Sequence, residues 1–89
     1  MTPRLIQVTL TAAATPISAT PAYFNQMTVQ NNASHTCRIG DATVSATKGI
    51  LLGATGGSNN TGTFAGQQGD ASQFYLFGTA GDVIDVLLV

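Results

Sequence analysis

Apolar and polar side chains alternate along short stretches of this chain. From Arg4 to Thr11, Ile6, Val8 and Leu10 fall on one side while Gln7, Thr9 and Thr11 fall on the other, the period of a half-buried strand. Met27 and Val29 alternate with Gln26, Thr28 and Gln30. Asn31-Asn32-Ala33-Ser34 then offers turn chemistry before Thr36-Cys37-Arg38-Ile39 resumes the pattern. Met27, Val29, Cys37 and Ile39 are thus expected on one buried face. Ile50-Leu51-Leu52 predicts another strand, Thr43-Val44-Ser45-Ala46 a weaker one, and the region of Ile17 a short edge strand. Pro16 and Pro21 bracket that region too closely for a helix.

The last segment gives the strongest local pattern. Ser72-Gln73-Phe74-Tyr75-Leu76-Phe77 and Asp82 to Val89 flank a Gly-bounded connection and predict a hairpin around Thr79-Ala80-Gly81, with Gly81 left-handed. That register sets Leu76 opposite Ile84 and Phe74 opposite Val86 on one wholly apolar face. The other face would hold Phe77 opposite Val83, Tyr75 opposite Asp85 and Gln73 opposite Leu87. A solvated face has no need of so many apolar groups. Tyr75, Phe77, Val83, Asp85, Leu87 and Val89 are accordingly the expected protein interface. Between Gly53 and Gly69 the composition is mostly Gly, Ser, Asn, Thr and Gln, which predicts a long loop, most mobile from Gly56 to Gly69.

Seven or eight short strands with frequent turn residues and no convincing helix predict an all-β fold. The expected architecture is one domain over residues 1–89, a small antiparallel β-sandwich or barrel of jelly-roll or Greek-key type. A chain this short removes only about 60–65% of its unfolded surface from water, so the core is thin.

Composition changes the picture most through charge. Charged residues make up 8% of the chain, where a free globular domain has about a quarter. A neutral, hydroxyl-rich surface of this kind suits a component of an assembly. Arg4, Arg38 and Lys48 cannot neutralise the phosphates of a typical nucleic-acid contact, so nucleic acid is not an expected partner. No stretch approaches a membrane span or forms the apolar run of a signal peptide. The single cysteine, Cys37, has no internal partner, and cytosolic synthesis is expected.

Candidate chemistry is sparse. Ser34, His35 and Cys37 bring a nucleophile and a base close together, but Asp41 is the only carboxylate near them in sequence. One His, one Cys and dispersed aspartates, Asp82 and Asp85 among them, match no metal-ligand spacing. Gly53-Ala54-Thr55-Gly56-Gly57-Ser58 lacks the Gly-Lys-Ser/Thr ending of a phosphate loop. Asn32-Ala33-Ser34 and Asn59-Asn60-Thr61 match the glycosylation sequon, which carries little weight without a secretory signal. The expectation is therefore no catalytic residue, no metal and no cofactor.

Gln30-Asn31-Asn32, the Arg38 to Val44 segment with its Gly40-Asp41 ending, Ile50-Leu51-Leu52 and the run from Ser72 to Val86 together resemble small virion proteins of tailed bacteriophages. The resemblance covers residues 26 to 89 and is one of style rather than of a diagnostic motif. It implies a β-sandwich capsid decoration or cement protein located in the virion. Its implied partners are the major capsid protein or other virion subunits, with a homo-oligomer, a trimer first, as the working state. The segment from Gly53 to Gly69 departs from that pattern, which has a shorter turn there. A carbohydrate- or receptor-binding module of a tail fibre or baseplate is the alternative, for which Tyr23, Phe24, Phe64 and Tyr75 are the available aromatics. An ice-binding domain lacks the regular Thr spacing it would need.

Overall fold

Strand alternation in the sequence becomes alternation in burial in a computed structural model that describes residues 2–57 and 59–89, the side chains of 66–68 excepted. Among the described residues eight strands form: β1 (Arg4–Thr9), β2 (Thr15–Pro16), β3 (Tyr23–Asn31), β4 (Cys37–Gly40), β5 (Ile50–Leu52), β6 (Thr61–Asp70), β7 (Tyr75–Phe77) and β8 (Val83–Leu88). The first sheet has the order β1-β8-β3-β6 and the second β2-β7-β4-β5, with every neighbouring pair antiparallel. Only β4 and β5 follow each other within one sheet; every other connection crosses between sheets. That is the strand order of an eight-stranded jelly roll.

Inward rows from both sheets close on each other. Ile6, Val86 and Val29 lie side by side in the first sheet, and Ile39 pairs with Leu76 in the second. These side chains belong to one core cluster with Met27, Cys37, Leu52, Ile84 and Leu88. Met27 and Val29 thus share the core with Cys37 and Ile39, but from facing sheets rather than from one sheet face. Ile17 is buried just beyond the two-residue edge strand β2.

Three expectations are corrected. β7 and β8 do not form a hairpin. β7 pairs with β2 and β4 in the second sheet and β8 with β1 and β3 in the first, so the Gly78–Asp82 connection arches between layers. A single apolar row per strand suits either arrangement, and alternation alone cannot choose between them. The arch is pinned to the end of β1: Gly81 N–H donates to Leu10 O (2.9 Å) and Leu10 N–H to Asp82 O (2.8 Å). Gly81 is left-handed, with φ 93°.

The expected Gly53–Gly69 loop is also shorter, because β6 occupies Thr61–Asp70 and pairs with β3 from Gln30↔Thr61 to Tyr23↔Asp70. Ser58 lies outside the described residues. Thr61 and Thr63 supply β-branched side chains to the outer face, while Phe64 packs on the core beside Phe74, with ring centroids 5.9 Å apart. Thr43–Ala46 forms no strand. Asp41 folds it into a turn by accepting from Thr43 N–H (2.8 Å), and Val44 N–H donates to Asp41 O (3.0 Å).

Strand β3 buries both Phe24 and Met27, three residues apart, which strict alternation forbids. A bulge at Asn25 resolves the conflict, with the amides of Asn25 and Gln26 both donating to Val89 O (2.8 and 3.0 Å). Phe24 in turn lies over Gly69, where an added Cβ would come within 2.5 Å of the ring. Gly69→Ala is expected to cost about 1–3 kcal/mol, as overpacking does, read as a lower urea midpoint. An unchanged midpoint would mean that the ring moves freely.

Asp70 holds the 3-10 turn at Ala71–Gln73 by accepting from Ser72 N–H (2.9 Å) and Ala22 N–H (3.0 Å). These backbone hydrogen bonds, Ser72's first, hold its carboxyl below the ordinary 3.8. A lowered folded-state value stabilises above the ordinary value, and that contribution is lost as pH falls through the lowered one. Asp70→Asn should flatten the fall of thermal midpoint below about pH 4, the ordinary carboxylate range. A slope equal to wild type would contradict this.

Candidate functional site

Each face of the sandwich has its own outward row of side chains, and the two rows differ. On the first sheet, Gln7, Asp85, Gln30 and Thr61 stand in register across all four strands. Asp85 is gripped from two sides, by Gln7 Nε2 at Oδ1 (2.9 Å) and Asn32 Nδ2 at Oδ2 (2.8 Å). Beside this polar ladder runs the row Leu5, Leu87, Thr28, Thr63. Leu5 is 69% exposed, Leu87 38% and Val83 40%. Among the described residues of these two rows, Asp85 is the one charged side chain.

The six residues expected as one interface are therefore divided. Val83, Asp85, Leu87 and Val89 lie on the outer face of the first sheet, because β8 directs Ile84, Val86 and Leu88 inward. Tyr75 and Phe77 lie on the outer face of the second sheet, since Leu76 between them is buried. The crossing of the chain between β7 and β8 is the reason. Of the aromatics considered for ligand contact, Phe24 belongs to the core, while Tyr23 is largely exposed.

The loops joining β1 to β2, β3 to β4, β5 to β6 and β7 to β8 meet at one end. Asn31, wholly buried on β3, donates from Nδ2 to His35 O (2.8 Å) and accepts at Oδ1 from Ala33 N–H (3.0 Å). Thr55 N–H reaches Ala33 O (2.8 Å), tying in the β5–β6 loop. His35 Nδ1 meets Asp82 Oδ2 at 3.0 Å across the β3–β4 and β7–β8 loops. The carboxylate beside His35 is thus Asp82, 47 residues away in sequence, and not Asp41.

The surroundings of Cys37, near this His–Asp pair, do not favour its thiolate. Burial first, and then the negative charge of Asp82, push the Cys37 thiol up to about 11. An activated cysteine needs the opposite surroundings, cationic and partly open. Among the described residues, no group of three or more His, Cys, Asp or Glu side chains could hold a metal ion.

A groove of about 430 Å³ crosses the second sheet's outer face, over β4 and beside Arg38, Leu51 and Phe77. Its outward positions could be read from the alternation of β4, where Arg38 stands between inward Cys37 and Ile39. Their convergence with Phe77 could not, because it depends on β7 joining that sheet. Comparison with known proteins assigns no kinship: no family model, curated protein or solved structure matches the chain.

Cys37 is expected to resist a thiol reagent in the native protein at neutral pH. The raised value alone leaves about a hundredfold less thiolate than an ordinary thiol, and labelling should become fast only after unfolding in guanidinium. Rapid stoichiometric labelling without denaturant would contradict a protonated core thiol.

Proposed function

We propose that this chain is a structural interaction protein of a virus particle, a capsid decoration or cement protein of the tailed-phage kind. The observation that supports this reading best is the outer face of the first sheet, where Asp85 is the one charged group among the described residues of the two central rows and Leu5, Val83, Leu87 and Val89 are exposed. A jelly roll whose chain carries so few charges suits placement among other subunits better than a free existence. Fold alone does not assign a role, whereas an exposed apolar row on one face is a property of this chain.

Size then bears on how the face is used. Four strands about 4.8 Å apart and six residues at about 3.3 Å each present about 400 Å² in projection. A stable two-body interface removes about 800 Å² of accessible surface from each partner. One sheet face therefore gives a modest contact, and a homo-oligomer or a lattice of coat subunits supplies the rest by engaging several contacts at once. In this reading the partners are neighbouring copies and coat subunits, with the trimer as the first oligomer to test.

The test is Leu87→Asp, with Leu88→Asp as its inward neighbour. Leu87→Asp should leave a folded monomer, with stability changed by about 0.5 kcal/mol or less, while abolishing assembly in native mass measurements. Leu88→Asp should unfold the chain, because an unpaired buried carboxylate costs several kcal/mol. Unchanged assembly of Leu87→Asp would remove this face as the interface.

A further inference from the structure

The groove on the second sheet is built around a cation with no anion. Arg38 on β4 is flanked by its cross-strand neighbours Leu51 on β5 and Phe77 on β7. Its guanidinium is held in place: Nε donates to Ala46 O (3.1 Å) and Nη1 to Gly49 O (2.8 Å). The Nη2 group has no acceptor among the described residues, and no carboxylate lines the groove. The ion pair found among those residues, His35 with Asp82, does not include Arg38. An oriented guanidinium with free donors matches a planar carboxylate.

The surroundings narrow the ligand further. The groove floor is β4, paired on both sides by β5 and β7, so β4 itself has no free backbone edge to offer a peptide strand. Over β4, recognition falls to the side chains. Thr36 and Thr79 line the same groove, and neither hydroxyl makes a hydrogen bond within the described residues. Phe77 supplies an apolar surface between these polar groups. A volume of about 430 Å³ lies within the range of small-ligand sites, about 300–1,000 Å³.

We propose that this groove binds a carboxylate-bearing sugar, with the carboxylate on Arg38, the ring against Phe77 and ring hydroxyls on Thr36 and Thr79. The site lies on the sheet opposite the assembly face, so the two can be occupied together. It does not depend on the assembly reading.

The test is an NMR titration of the full chain with glucuronate, using glucose and acetate as controls. Glucuronate should shift the amides of Thr36, Arg38, Phe77 and Thr79 and saturate at about millimolar concentration. Glucose, lacking the charge, and acetate, lacking the ring, should each bind about tenfold more weakly. Phe77→Ala should weaken glucuronate binding about tenfold, as loss of a sugar-stacking surface does. Thr79→Val, at an exposed position, serves the same purpose if Phe77→Ala does not fold. No saturable shift at these amides would overturn the proposal. So would acetate matching glucuronate, which means a simple anion site, or glucose matching it, which means that Arg38 plays no part. Loss of assembly in Leu87→Asp with glucuronate binding retained would separate this site from the assembly face.

Discussion

Strands β1, β3 and β8 each have one apolar row to bury, and the two sheets exist because those rows are covered by the inward residues of β4, β5 and β7. Met27, Val29, Ile84, Val86 and Leu88 from the first sheet meet Cys37, Ile39, Leu52 and Leu76 from the second. Once that closure is made, the outward rows are fixed by the same alternation, reset only at the Asn25 bulge of β3. The candidate surfaces are therefore what the core leaves over. A row of Leu5 and Leu87 beside Asp85 is the complement of Val86 and Ile84, and Arg38 with Phe77 is the complement of Ile39 and Leu76.

Asn31 secures the end where this closure would otherwise be loosest. Loops that connect sheets cannot satisfy their own backbone groups by ladder pairing, and this wholly buried amide takes up the Ala33 N–H and the His35 carbonyl. Its backbone N–H also donates to Asn60 O at 2.8 Å, which brings the start of β6 to the same place. From there the β3–β4 turn presents His35 to Asp82, and the β7–β8 arch presents Thr79 to the groove. The approach of Asp82 toward the Cys37 thiol belongs to this local order, whereas Arg38 is held by the β4–β5 connection through Ala46 O and Gly49 O.

Much of the fold was legible because apolar residues alternate with polar ones at β1, β4 and the second half of β3, while β5 and β8 stand out as apolar runs bounded by turn residues. The all-β class followed from those segments, while the expected seven or eight strands counted Thr43–Ala46, which is a turn, and missed β6. β6 was not legible, since its glycines and glutamines have low strand propensity by themselves. It forms because β3 offers an open edge, and because Gly69 admits the Phe24 ring while Phe64 reaches the core. The arch between β7 and β8 was hidden for a different reason. Hairpin and arch bury the same side chains, Leu76 and Ile84, and differ only in partners that lie far away in sequence. The candidate interface inherited that ambiguity, which is why Tyr75 and Phe77 separate from Val83, Asp85 and Leu87. Pairing of His35 with Asp82 was beyond local reading altogether.

The central claim is that the outer face of the first sheet is covered in the working state while the groove of the second remains open. Hydroxyl-radical footprinting reads both faces at once, in dilute chain and in the assembled form. The account predicts that oxidation of Leu5, Val83, Leu87 and Val89 falls sharply on assembly while that of Leu51 and Phe77 stays constant. Protection of Leu51 and Phe77 with Leu5 and Leu87 still reactive would contradict it.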